Sequence, residues 1–207
     1  MRRNTKRSFQ VAVMVPVALL LLVATAFALE QTNGTGKTNS GNSLGYNVKC
    51  TVALDANNKC PKAVPTNVTG HLTFEANNTN SIVYTDPVFG VLKEIKCNDY
   101  NSYRLETTAG GFPRTRVTAT CEGTFGDPPN EVTATVYIKV YFVDKGEPGT
   151  ADRINFYAST NPAYKHNAEL DPNRLVKDIG VISNGNVQIH SDVFPFDSTD
   201  MLVPVTT

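Results

Sequence analysis

The stretch Val132-Thr-Ala-Thr-Val-Tyr-Ile-Lys-Val-Tyr-Phe-Val-Asp144 decides the fold. Val132, Ala134, Val136, Ile138, Val140 and Phe142 share one side of a two-residue period, and Thr133, Thr135, Tyr137, Lys139 and Tyr141 share the other. Successive side chains of an extended chain point to opposite faces, so this is a long strand with one buried and one wet face. Upstream, residues 116–125 repeat the pattern, with Val117, Ala119, Cys121, Gly123 and Phe125 inward. Further strands are expected at 44–52, 69–75, 88–97, 103–107, 153–159 and 186–190. Turn chemistry separates them at Ala109-Gly-Gly, Gly126-Asp-Pro-Pro-Asn and Lys145-Gly-Glu-Pro-Gly. Beyond residue 30 no segment has sustained helical periodicity, although 168–178 has room for one helical turn.

About eight antiparallel strands in roughly 150 residues imply an all-β domain, either a closed barrel or a two-sheet β-sandwich. Long strands favour the barrel, which removes exposed edges. Composition agrees: 207 residues, 18% charged, no Trp. Lys and Arg number 19, as do Asp and Glu, but Arg2, Arg3, Lys6 and Arg7 all precede residue 29. Setting those four cations aside leaves 15 against 19, a net charge of −4 on the remainder. That excludes a generally basic surface and, with it, nucleic acid as the expected partner.

Residues 1–28 read as an export segment: a basic start, an apolar run from Val11 to Ala28, and an Ala26-Phe27-Ala28 ending. This order fits a cleaved signal peptide or a retained transmembrane anchor helix. Either way the cations hold the N-terminus inside and deliver the rest outside, as a secreted protein or on the extracellular face of the membrane. Membrane contact is expected through this segment alone. Residues 29–43 (LEQTNGTGKTNSGNS) read as a flexible polar linker, 44–190 as the all-β domain, and 191–207, interrupted by Pro195 and Pro204, as a C-terminal tail.

The four cysteines all follow the export segment. An even count in an oxidising compartment reads as two disulfides, with three possible pairings. Cys50 and Cys60 flank a polar loop, whereas Cys97 and Cys121 lie on successive strands. Pairing 50–60 with 97–121 is therefore the expected arrangement. Sequons at Asn33, Asn67 and Asn77 sit in polar stretches and mark possible glycosylation.

Several segments, taken in order, resemble a known module. They are Leu44-Gly-Tyr-Asn-Val, Gly70-His-Leu-Thr-Phe, Val117-Thr-Ala-Thr-Cys-Glu-Gly-Thr, Asp144-Lys-Gly-Glu-Pro-Gly-Thr-Ala-Asp-Arg-Ile and Gly185-Asn-Val-Gln-Ile-His. Together they resemble the post-COAP domain, which follows choice-of-anchor domains in exported microbial proteins. The resemblance spans residues 44–190. It implies a secreted or surface-attached all-β module and supplies no catalytic residue. The stretch from Cys50 to Asn67 departs from that pattern as an insertion bearing two cysteines.

Chemistry-bearing constellations are few. Asp144, Glu147 and Asp152 surround a turn and offer oxygens for Ca²⁺, the one cofactor suggested, although acids that merely keep a turn soluble explain them equally. His71 and His190 would approach each other if the first and last strands paired, giving a transition-metal site; isolated strand histidines are ordinarily surface residues. Glu75, Glu94 and Glu122 fall on strands, where surface charge accounts for them. No G-x-S-x-G occurs. Tyr137 and Tyr141 face outward on the longest strand and offer rings to a sugar or a partner. The expectation is a non-catalytic exported β-domain with a structural, adhesive or assembly role and a surface partner or self-assembly. A small-molecule or glycan module is the alternative, and a hydrolase a more distant one. A lumen ligand requires that Val136, Ile138, Val140 and Phe142 leave space.

Overall fold

The computed structural model describes residues 30–62, 67–77, 83–146 and 151–191. Among the described residues ten strands form: β1 (Gln31–Lys37), β2 (Ser43–Cys50), β3 (Val68–Glu75), β4 (Thr85–Asp86), β5 (Gly90–Thr107), β6 (Pro113–Phe125), β7 (Val132–Val143), β8 (Arg153–Ser159), β9 (Val176–Val181) and β10 (Ser183–His190). Nine run in the order β10-β1-β2-β3-β5-β6-β7-β8-β9, all neighbours antiparallel, and β4 pairs with the start of β5. The sheet is a nearly closed barrel. Its two ends, β9 and β10, are separated in the chain by Ile182 alone, so the chain crosses the seam in one residue.

The alternation that identified β7 holds from Val136 to Phe142, whereas Val132 at the strand's start, expected inward, is exposed. Val136, Ile138, Val140 and Phe142 point inward and are fully buried, and Val117, Ala119 and Phe125 of β6 face them. Rings stack through the interior: Tyr46 on Phe142 with centroids 4.0 Å apart, and Phe74 on Phe156 at 4.4 Å. At the level of β1 the interior turns polar. There Thr32 meets Thr115 at 2.6 Å and the Tyr103 hydroxyl at 3.2 Å.

Residues 30–43, expected to belong to a linker, are part of the sheet. Their polar, Gly-rich sequence becomes β1 and a tight turn, because β1 pairs with β2 on one side and β10 on the other. Its glycines make room: a side chain at Gly36 would lie 2.2 Å from Ile182. The expected strands 88–97 and 103–107 are one continuous β5, whose register shifts at Leu92/Glu94, Cys97/Asp99 and Tyr100/Ser102 hide the alternation. Within 168–178, where one helical turn was expected, a 3-10 turn occurs at Ala168–Leu170 and β9 begins at Val176; a second 3-10 turn lies upstream at Pro162–Tyr164. In β9 Asp178 occupies an inward position and masks the hydrophobic pattern.

Candidate functional site

Both expected disulfides form. Cys97 and Cys121 are direct partners in the β5–β6 ladder with Cα atoms 4.3 Å apart, the close spacing of a non-hydrogen-bonded antiparallel pair. Cys50–Cys60 does different work. β3 pairs with β5 only from Leu72 to Glu75, leaving the later half of β5 without a strand neighbour there. The loop after Cys50 fills that place: Cys60 N–H donates to Tyr103 O and Leu105 N–H to Asn58 O, both at 2.9 Å. The disulfide closes this loop onto the end of β2. Two such bonds mark a chain that folds in an oxidising compartment.

The acids of the turn after β7 hold the barrel seam. One edge of β10 pairs with β1; on the other edge, Val187 N–H donates to Asp152 at 2.7 Å and Ile189 N–H to Asp144 at 3.1 Å. The remaining oxygens accept from the turn itself, Asp152 from Lys145 N–H and Asp144 from Gly146 N–H, each at 2.8 Å. Asp144 and Asp152 thus substitute for a missing strand; Glu147 lies outside the described residues. A third carboxylate, Asp178 on β9, is buried and accepts from Thr38 (2.5 Å), Ser40 (3.0 Å) and Asn42 (2.6 Å) in the β1–β2 turn. Among the described residues no group of three or more His, Cys, Asp or Glu side chains converges as a metal site.

The histidines do not converge. His71 on β3 and His190 on β10 are both exposed, and β1 and β2 lie between their strands. Three strand spacings of about 4.8 Å separate them by roughly 14 Å. The barrel closes through a β1 that the sequence reading took for linker, so two strands and not one lie between β3 and the last strand. Glu75 and Glu94 are direct cross-strand partners beside an open groove with Ser43, Gly45 and Thr73, but Glu94 is ion-paired to Lys96 at 2.5 Å. Glu122 is Lys96's partner on β6.

Of the sequons, Asn33 lies on β1, between Asn47 and Gln188, and not in a loop. The Asn67 side-chain amide donates to Pro61 O at 3.0 Å and that of Asn77 to Gly41 O at 3.2 Å.

The outer face of β5–β8 carries a cluster of charged and aromatic side chains. Register sets Arg104, Arg116, Tyr141 and Asn155 in one cross-strand row and Glu106, Arg114, Val143 and Arg153 in the next. Glu106 accepts from Arg114 at 2.5 Å and lies 3.2 Å from Arg116 and 3.8 Å from Arg104. The Arg114 guanidinium stands 5.2 Å from the Tyr141 ring centre and the Lys139 ammonium 5.8 Å. Tyr157 meets Tyr141 edge-on at 6.5 Å. Beyond them the 3-10 turn of Ala168–Leu170 covers part of the sheet, and its Glu169 ion-pairs with Lys139. Tyr137 also faces outward, two residues before Lys139, opposite Thr120 and Ser159. Sequence reading found Tyr141 and missed its cations. Their signal was available: Arg104/Glu106 and Arg114/Arg116 are i, i+2 pairs at equal depth on either side of the Ala109-Gly-Gly turn. No family model, curated protein or solved structure matches this chain.

Proposed function

We propose that this protein is a non-catalytic β-barrel domain, exported by residues 1–28, with an adhesive or structural role at the cell surface. In this reading it meets its partner with the outside of the barrel. The observation that carries the reading is the filled interior: Val136, Ile138, Val140 and Phe142 each have 0% exposure, so no water-sized space touches them. A small molecule has no room beside these residues, and the elaborated chemistry lies on the outer face. The two disulfides suit an extracellular location, secreted or membrane-anchored. The resemblance to the post-COAP domain points the same way.

Native mass spectrometry of the full chain recovered from its own cell envelope, with size-exclusion chromatography, tests this. The expected result is a disulfide-bonded species that is oligomeric or retained by envelope material. A free monomer carrying a stoichiometric small molecule would overturn it.

A further inference from the structure

We infer that the outer face of β5–β8 is a binding site for an acidic polysaccharide, a chain bearing carboxylates or sulfates, held by Arg104, Arg114, Arg116 and Tyr141. The inference rests on the reading of the barrel's outside as its working surface. Three observations carry it.

The first is unbalanced charge. Arg104 and Arg116 are direct cross-strand partners, an arrangement of like charges that destabilises a sheet. Three guanidiniums gather around Glu106, Arg104 also donating from Nε to Asn57 O at 3.2 Å beside the loop that carries Asp55, and Arg153 stands exposed at the end of the Glu106 row. A face held only for stability would balance these strand positions with acids. Here the surplus is positive, on a chain whose net charge beyond residue 28 is −4.

The second is unused donor capacity. A guanidinium carries five N–H donors in a planar fork that matches carboxylate and sulfate oxygens. The side chains of Arg104, Arg114 and Arg116 remain 40, 35 and 29% exposed, so their outer edges meet solvent.

The third is the aromatic surface within the patch. Tyr141 lies between Arg114 and Lys139, with Tyr157 against its edge. Such rings supply rigid apolar area at little entropic loss, suited to the C–H faces of sugars, while the arginines take the acid groups. The surface is an open sheet face, which suits an extended chain better than a small solute.

The test uses the full chain, immobilised, with three probes: polygalacturonate, dextran sulfate and neutral dextran. Expected is binding of one or both polyanions that weakens from low to physiological salt, with neutral dextran unbound. Binding of polygalacturonate alone assigns a uronate; binding of dextran sulfate alone assigns a sulfated chain. The double variant R114A/R116A should lose at least tenfold in affinity. R114K/R116K, which keeps charge but loses the fork, should fall between. Y141A should lose several-fold and Y141F should not. K96A, on the opposite end of the sheet, should bind as the parent does. Thermal melts of each variant identify any change due to unfolding; if R114A/R116A unfolds, the lysine pair and Y141A decide. Failure of both polyanions to bind, or binding unchanged in the folded arginine and tyrosine variants, overturns the inference. An oligomeric or envelope-retained protein that ignores both polyanions would leave the adhesive reading standing and remove only this one.

Discussion

Asp178 concentrates three hydrogen bonds on one buried carboxylate, from Thr38, Ser40 and Asn42. Removing the acceptor strands three donors at the point where the β1–β2 turn covers β9. Bonds to a charged acceptor are each worth about 1.5–3 kcal/mol, and they are not independent. Asp178→Ala should therefore lower unfolding stability by about 2–4 kcal/mol, and Asp178→Asn, which keeps one oxygen, by less. Urea unfolding midpoints decide; an unchanged midpoint for the alanine variant would show that the seam is held elsewhere. A second site is geometric. A Cβ on Gly185 would sit 1.9 Å from Thr35 O and 2.4 Å from Gly36 Cα, both backbone atoms. Gly185→Ala must push β10 off β1, so it should destabilise by about 2–4 kcal/mol in the same measurement. These two residues explain why 29–43 read as linker. Composition scores Gly, Asn, Ser and Thr as flexible, but here glycine grants close approach between strands and the polar side chains feed one aspartate. Both facts depend on partners more than a hundred residues away, which no local pattern displays.

At the scale of elements, the two disulfides have unequal roles. Cys97–Cys121 joins two strands already laddered from Leu92 to Thr107. Cys50–Cys60 fastens a loop that serves as strand partner to Tyr103 and Leu105. Chain-closure entropy gives both a value of about 3 kcal/mol. Replacing Cys97 and Cys121 by Ser should lose about that much and leave local hydrogen exchange near the global limit. Replacing Cys50 and Cys60 should also free the loop, so the Leu105 amide should exchange faster than its ladder neighbours. Equal protection of Leu105 in both variants would refute the surrogate-strand role. The pairing itself was legible in sequence, because loop length and strand alternation both pointed to it. The role of the loop was not, since the gap in the sheet arises only from where β3 ends.

Over the whole molecule, alternation revealed the barrel because β6 and β7 are long and regular, with one face buried. It concealed β9, where an acid sits inward, and it split β5, where bulges reset the period. The outer-face cluster was half visible: Tyr141 stood out as an aromatic on a wet face, whereas the three arginines gather only once the β5–β6 register is known. The barrel's interior makes one further demand, on alkaline stability. Burial pushes the Tyr103 hydroxyl up to about 12, against weaker lowering by Thr32 and Thr115. Tyr100 is raised by burial, and Tyr46 by burial and then by the charges of Asp152 and Asp144. A phenol whose folded value lies above its unfolded value of 10.0 binds its proton more tightly in the fold. Its contribution is complete below about pH 10 and is lost as pH rises from there towards about 12. For Tyr103 alone that is on the order of 3 kcal/mol. Spectrophotometric titration of tyrosinate should show the exposed rings ionising first. The buried ones should follow in a cooperative step that coincides with loss of the far-ultraviolet β signal. Tyr103→Phe should move that step to higher pH. Smooth ionisation of every tyrosine near pH 10 with the β signal intact would mean that water reaches the interior, and the reading of a filled barrel would fall with it.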